Sequence, residues 1–169
     1  GAMAADIEAD FAHQVDFEAE GLRQFIHAGV ENRIQPLIAL ARHRAAVPDL
    51  KKDEWDADTQ AILARGGYQA IEWIDAAGRL VWSSPPGAGD ATPDGNAVFE
   101  ARRKAAFEEA RRNRAAAATQ PVDLVTGGRG LIVIVPVFVR EEAAGYVAGV
   151  FRYQTLFQSL LASNPSPRY

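Results

Sequence analysis

The sequence contains no cysteine and only three histidines. Without a thiol there is no disulfide, no thiolate metal site and no cysteine nucleophile. The histidines, His13, His27 and His43, all fall in one N-terminal helical stretch. Consecutive ones are separated by 14 and 16 residues, whereas two imidazoles on one helix share a metal at a spacing near four. They read as a solvated face, and no metal or cofactor is expected. Long apolar runs are also missing: the longest, residues 131–139 and 143–151, are nine residues each, against about 20 for a membrane helix. An excess of basic charge is missing too, since 18 Lys and Arg face 22 Asp and Glu for a net charge of -4. A nucleic acid is therefore not an expected partner, because phosphate binding needs a net basic face. The one basic cluster, Arg102, Arg103, Lys104, Arg111, Arg112 and Arg114, is interleaved with Glu100, Glu108 and Glu109 and reads as a solvated helix surface. Catalytic signatures are absent as well. There is no G-x-S-x-G elbow, and Gly127-Gly128-Arg129-Gly130 lacks the Lys-Ser/Thr end of a phosphate loop. The chain is not expected to be an enzyme.

What is present is a 169-residue chain, 48% hydrophobic and 24% charged, the composition of one folded module. Gly1-Ala2-Met3 resembles a protease-cleavage scar, so the natural start is expected elsewhere. Over residues 4–46, Ile7, Phe11, Val15, Leu22, Phe25, Val30, Ile34, Leu37 and Leu40 step along one helix face. A helix of that length reaches roughly 60 Å at 1.5 Å per residue, more than a small domain can cover. Part of it should project and pair with a second copy as a parallel homodimer, and Pro36 should kink it or divide it.

Residues 47–162 form the expected domain and 163–169 a Pro-rich tail. A second helix spans 53–65, closed by Gly66-Gly67. Periodicity then changes to two. Residues 68–75 and 79–83 read as a hairpin turning at Ala76-Ala77-Gly78. Pairing Asp75 with Gly78 would set Ile71 opposite Trp82 and Trp73 opposite Leu80, with Glu72, Ile74 and Val81 on the other side. Residues 83–95 carry loop chemistry, and Asp94 or Asn96 can cap a third helix running to about residue 117. A strand over 122–126, a Gly-rich turn over 127–130 and a strand over 131–139 follow, the last interrupted by Pro136 at an edge or a bulge. Glu141-Glu142 mark a turn, 146–153 the last strand and 155–162 a terminal helix. The fold class is α+β, with a five-stranded antiparallel sheet, a long N-terminal helix and flanking helices mostly on one side.

The run Y-Q-A-I-E-W-I-D-A-A-G-R-L-V-W-S-S-P over 68–85, the helix A-R-R-K-A-A-F-E-E-A, and the runs P-V-D-L-V-T-G-G-R-G-L-I-V-I-V-P-V-F and G-Y-V-A-G-V-F-R-Y resemble the CHASE sensory domains. More broadly they are similar to the PAS-like extracellular sensors, of which Cache domains are another group. The resemblance covers residues 45–160. It implies a periplasmic or extracytoplasmic small-molecule sensor attached to membrane helices in a histidine kinase or a diguanylate cyclase, with ligand binding passed through the terminal helices. A relay module with an empty pocket is the alternative. The ligand is expected between the sheet, the 83–95 loop and the helix after it. Trp73 or Trp82 would wall the pocket, and either Arg152 or Tyr153, expected on opposite faces of the last strand, would reach into it. An inward Arg152 suits a small organic acid, whereas Glu72 or Asp75 would hold an amine. Against this stands the simpler reading that both Trp residues are core and Arg152 is solvated.

Overall fold

The structure, a computed structural model, describes residues 2–87, 97–124 and 127–163, with side chains from residue 20 onward except those of Leu22 and Ser163. Two compact units meet within the first helix, residues 1–32 and 33–169. That helix, α1, runs Ala2–Ala46 as a single element with Pro36 inside it. Proline has no N–H to donate to the carbonyl four residues back, which belongs to Asn32, the last residue of the first unit. In that unit the described side chains form solvated pairs, Arg23 with Glu20 at 3.5 Å and His27 with Glu31 at 3.0 Å.

The second unit holds the sheet. Its helices are the C-terminal part of α1, α2 (Lys52–Leu63), α3 (Ala97–Asn113) and α4 (Tyr153–Ser163), and its strands are β1 (Ala70–Asp75), β2 (Leu80–Ser84), β3 (Ala117–Ala118), β4 (Val122–Asp123), β5 (Arg129–Val139) and β6 (Glu142–Arg152). The sheet has six strands in the order β2-β1-β6-β5-β3, with β4 also on β5, and every pairing is antiparallel. The strand expected over 122–126 is thus only two residues long, and the short β3 supplies the sixth; Val125 and Thr126 lie outside the described residues.

Turn chemistry sets the order. Gly66 and Gly67, at φ 82° and 95°, reverse the chain between α2 and β1 as only glycine does without strain. At Gly67 a side chain would also collide with Arg33, whose guanidinium donates to the Gly66 carbonyl at 3.0 Å and to Ser159 Oγ of α4 at 2.9 Å. One arginine therefore ties α1, the α2–β1 turn and α4 together. Pro136 sits where β5 has lost its outer neighbour, because β3 pairs only with Ile134 and Val133, and a bulge follows between Val137 and Phe138.

Both faces of the sheet are covered, so β1 is buried on both sides of its pleat. On one face lie Ile71, Trp73, Val147, Gly149 and Phe151, related by strand pairing and alternation. α1 packs there, with Leu37 close enough to touch any side chain added at Gly149, as do α2 through Trp55 against Trp82 and α4 through its tie to Arg33. On the other face Ala70, Ile74, Ile132, Ile134, Tyr146 and Val150 pack against Phe99, Ala106, Phe107 and Ala110 of α3.

Candidate ligand site

Strand β1 reads A-I-E-W-I-D, an apolar run broken in its interior by one carboxylate. Glu72 is fully buried, with Ser83 of β2 opposite on one side and Ala148 of β6 on the other. Alternation along β1 places it with Ala70 and Ile74 on the face that α3 covers. A carboxylate taken out of water is costly to keep ionised, and a titratable group so placed is a candidate for function.

The α3 side of this face is aromatic and cationic. The Phe107 and Tyr146 rings meet at 4.7 Å. Arg103 lies 4.7 Å over Phe107 and donates to the Gly78 carbonyl at 3.2 Å, while Arg111 reaches the Tyr146 hydroxyl at 3.5 Å. Between the β1–β2 turn and α3 a hollow of about 430 Å³ opens, lined by Ala77, Gly78, Glu100, Arg103, Lys104 and Phe107. The hollow thus has cationic groups and an aromatic ring on the helix, together with Glu100, while Glu72 lies buried in the sheet on the same face and does not line it. Among the described residues no group of His, Asp and Glu could hold a metal ion.

The other expected site residues are dispersed. Trp73 and Trp82 do share a face, but the register differs from the expected one. Trp73 lies directly opposite Trp82, Ile71 opposite Ser84 and Ile74 opposite Leu80, with a bulge after Trp73. The extra residue in β2 is Val81, and it returns Leu80 to the α3 side. Trp73 and Trp82 face α1 and α2, away from the expected pocket: Arg44 of α1 lies 4.6 Å over Trp73 and 5.6 Å over Trp82. Asp75 shapes the hairpin turn. Hydrogen bonds from the Arg79 amide above all, and from the Ala77 amide and the Arg79 guanidinium, hold its carboxyl below the usual aspartate range. Arg152, half-buried, pairs in β6 with Gly130 and lies against the Gly127-Gly128 turn. Tyr153 is not on the strand at all, because β6 ends at Arg152 and α4 begins with Tyr153; the expected opposition of those two side chains across a strand does not arise. Of the 83–95 loop, residues 88–95 lie outside the described residues, as do the expected caps Asp94 and Asn96. Sequence reasoning passed over Arg103, Phe107 and Tyr146 as parts of a site; the signal was the spacing of Arg103, Phe107 and Arg111 at i, i+4 and i+8, one helical stripe of alternating character.

Comparison with known proteins agrees with this architecture. The CHASE domain family model matches residues 96–168. Among curated proteins no sequence match is found. Similar solved structures include the ligand-binding domain of the Pseudomonas aeruginosa amino acid chemoreceptor PctC in complex with GABA, at 24% identity and TM-score 0.59, with 82% of this chain and 64% of that chain covered. The ligand-binding domain of the Pseudomonas fluorescens chemoreceptor CtaA in complex with L-isoleucine matches at 20% identity and TM-score 0.58, over 95% of this chain and 64% of that one. An extracellular ligand binding receptor from Desulfohalobium retbaense matches at 16% identity and TM-score 0.61, over 83% of this chain and 26% of that one. At these identities the likeness is one of fold, and the chain spans less than two thirds of the length of these neighbours. No helix among the described residues is long and apolar enough to cross a membrane. Residues 96–168 are thus similar in sequence to the CHASE domain, and the described chain is similar in fold to ligand-binding domains of chemoreceptors.

Proposed function

We propose that the chain is the extracytoplasmic sensing domain of a membrane-bound signalling protein, with a histidine kinase or diguanylate cyclase output outside this chain and no catalysis within it. Its ligand is a small molecule carrying both an ammonium and a carboxylate, the chemistry of an amino acid. The ammonium is taken at Glu72, and the carboxylate is turned toward the cationic stripe of Arg103 on α3. The observation that carries this reading is the fully buried Glu72 on the sheet face that α3 covers. Support comes from the neighbours, whose ligands include GABA and L-isoleucine. The organic acid expected at Arg152 is thereby replaced by a zwitterion, since Arg152 lies against the Gly127-Gly128 turn while Glu72 and Arg103 flank α3 and the hairpin. Ligand binding acts on signalling only through its difference in affinity between two states, and α1 as a parallel homodimer is the element proposed to carry that difference.

A thermal-shift panel of amino acids, ω-amino acids, simple amines and simple organic acids tests the proposal. A ligand at a hundredfold excess over its dissociation constant stabilises by about 2.7 kcal/mol, or about 5–10 °C for a chain of this size. Glu72→Gln should weaken the hit at least about tenfold while leaving the fold intact, because it replaces the carboxyl group by a neutral amide of the same shape. Binding of organic acids alone, or equal affinity in Glu72→Gln, overturns the assignment. Light scattering at high concentration tests the dimer: a strict monomer at millimolar chain concentration refutes it.

A further inference from the structure

A second hollow, of about 420 Å³, opens on the α1 side of the sheet, away from the Glu72 face. It is of the size that encloses a small organic molecule. Ile38, Ala41 and Ala45 of α1 and Val135 and Val137 of β5 give it an apolar floor, where β5 has run past its pairing with β3. Two guanidinium groups border it, Arg42 of α1 and Arg114. No acidic side chain lines it, and among the described residues neither arginine has an ion pair.

Arg114 is an unexpected residue at its position. It follows the last residue of α3 at φ 50°, and the next amide, of Ala115, closes back on the Ala110 carbonyl at 3.2 Å. That is a Schellman-type helix end, whose left-handed residue is by default glycine. A side chain with a Cβ there costs about 1 kcal/mol. This chain keeps an arginine, with its guanidinium 4.0 Å over the Phe138 ring on the wall of the hollow. A local rule broken at the rim of a cavity is where function is to be sought.

We propose that this hollow binds a small amphiphilic monocarboxylate, its compact apolar body against Ile38, Ala41, Ala45 and Val137 and its carboxylate held between Arg42 and Arg114. Guanidinium groups match a carboxylate through paired N–H donors, and an apolar body is needed because the floor offers it no polar contact. The site is independent of the reading given for Glu72.

Benzoate and hexanoate serve as probes, with benzyl alcohol and benzylamine as controls of like shape and different charge. In a titration followed by amide chemical shifts, benzoate should saturate with a dissociation constant below about 10 mM and perturb residues 38–45, 114–116 and 135–138. Benzyl alcohol should bind at least about tenfold more weakly, and benzylamine should not bind. Arg114→Gly should raise the melting temperature, because it relieves the left-handed residue, and should weaken benzoate at least about tenfold; Arg42→Gln should do the second without the first. Glu72→Gln should leave benzoate binding unchanged, which separates this site from the other. The proposal falls if benzoate does not saturate, if the alcohol binds as well, if the perturbed amides lie on the Glu72 face, or if Arg114→Gly and Arg42→Gln both bind as the unsubstituted protein does.

Discussion

Replacing Arg44 by alanine should cost about 2–3 kcal/mol of stability, more than most substitutions of a half-exposed residue. Arg44 is in the last turn of α1, where its Nη1 donates to the carbonyls of Val47 and Pro48 at 3.1 and 2.8 Å. Its guanidinium plane also covers Trp73 at 4.6 Å and Trp82 at 5.6 Å, and Trp82 in turn meets the fully buried Trp55 of α2 at 5.8 Å. Each cation–π contact contributes about 0.5–1 kcal/mol when partly exposed, and each hydrogen bond from a charged donor about 1 kcal/mol or somewhat more. The gross gain is about 3–4 kcal/mol. Against it stands desolvation, which lowers the arginine pKa while the Asp49 charge opposes the shift, and a buried Nε with no hydrogen-bond partner. About 1 kcal/mol is lost to these terms.

Urea and thermal unfolding measure the outcome, with an expected fall in melting temperature of about 5–10 °C. Two further variants identify the cause. Arg44→Lys keeps the charge and loses both the planar stack and the fork that reaches two carbonyls, so it should recover less than half of the deficit. Arg44→Met keeps the apolar stem over the indoles and should fall between lysine and alanine. A loss below about 0.5 kcal/mol in Arg44→Ala, or an Arg44→Lys variant as stable as the original, would refute the argument that this side chain locks the end of α1 onto the hairpin.

Glu141→Gly should stabilise by about 0.5–1 kcal/mol, because Arg140 and Glu141 form the β5–β6 turn at φ 52° and 68°, where glycine is at ease and glutamate is not; a lower melting temperature in this variant contradicts the turn geometry. Tyr68 donates to the Arg33 carbonyl at 2.5 Å, and burial pushes its phenol up to about 12. Because the folded value lies above the unfolded value near 10, the folded state binds the proton more tightly. Stability is therefore whole below about pH 10 and lost as pH rises toward about 12, and Tyr68→Phe should flatten that alkaline fall in a urea-midpoint series. Gly149→Ala should cost about 1–3 kcal/mol, since a Cβ there would sit 2.6 Å from Leu37 Cδ1 and 3.2 Å from Phe151 Cε2. A Leu37→Ala change should cost less in the Gly149→Ala background than alone, and additive costs would show that the two positions do not touch.

Much of the fold is written in local chemistry, and where it is, the expected elements are found. Gly66-Gly67 reverses the chain after α2, although the helix itself stops at Leu63, two residues before its expected end; Ala76-Ala77-Gly78 turns the hairpin, and Pro136 marks the outer edge of β5. The differences arise where several local solutions have similar energies. Asp94 and Asn96 suited the start of a third helix but lie outside the described residues, and α3 stops at Asn113, four residues before its expected end. Its end falls on an arginine in a conformation that glycine marks, so the usual signal was missing from the sequence. The sixth strand, β3, escaped notice because it is two residues long, too short for any alternation to register.

The candidate site was legible in parity and illegible in facing. Alternation alone puts Glu72 with Ile74 and Trp73 with Ile71, and both groupings hold. Whether α3 or α1 covers a given face depends on contacts between residues distant in the chain, such as Phe107 with Tyr146 or Arg44 with Trp73, and no local pattern encodes them. The tryptophans drew attention as pocket walls because large aromatics suit ligands, yet the same area suits a guanidinium and an indole from neighbouring helices, which is how Trp73 and Trp82 are used. Glu72 carried the better signal. An apolar strand flanked by two others has no inexpensive position for a carboxylate, so a glutamate in the middle of A-I-E-W-I-D stands out from the apolar pattern around it. The anomaly could be read from the sequence; the helix across from it could not.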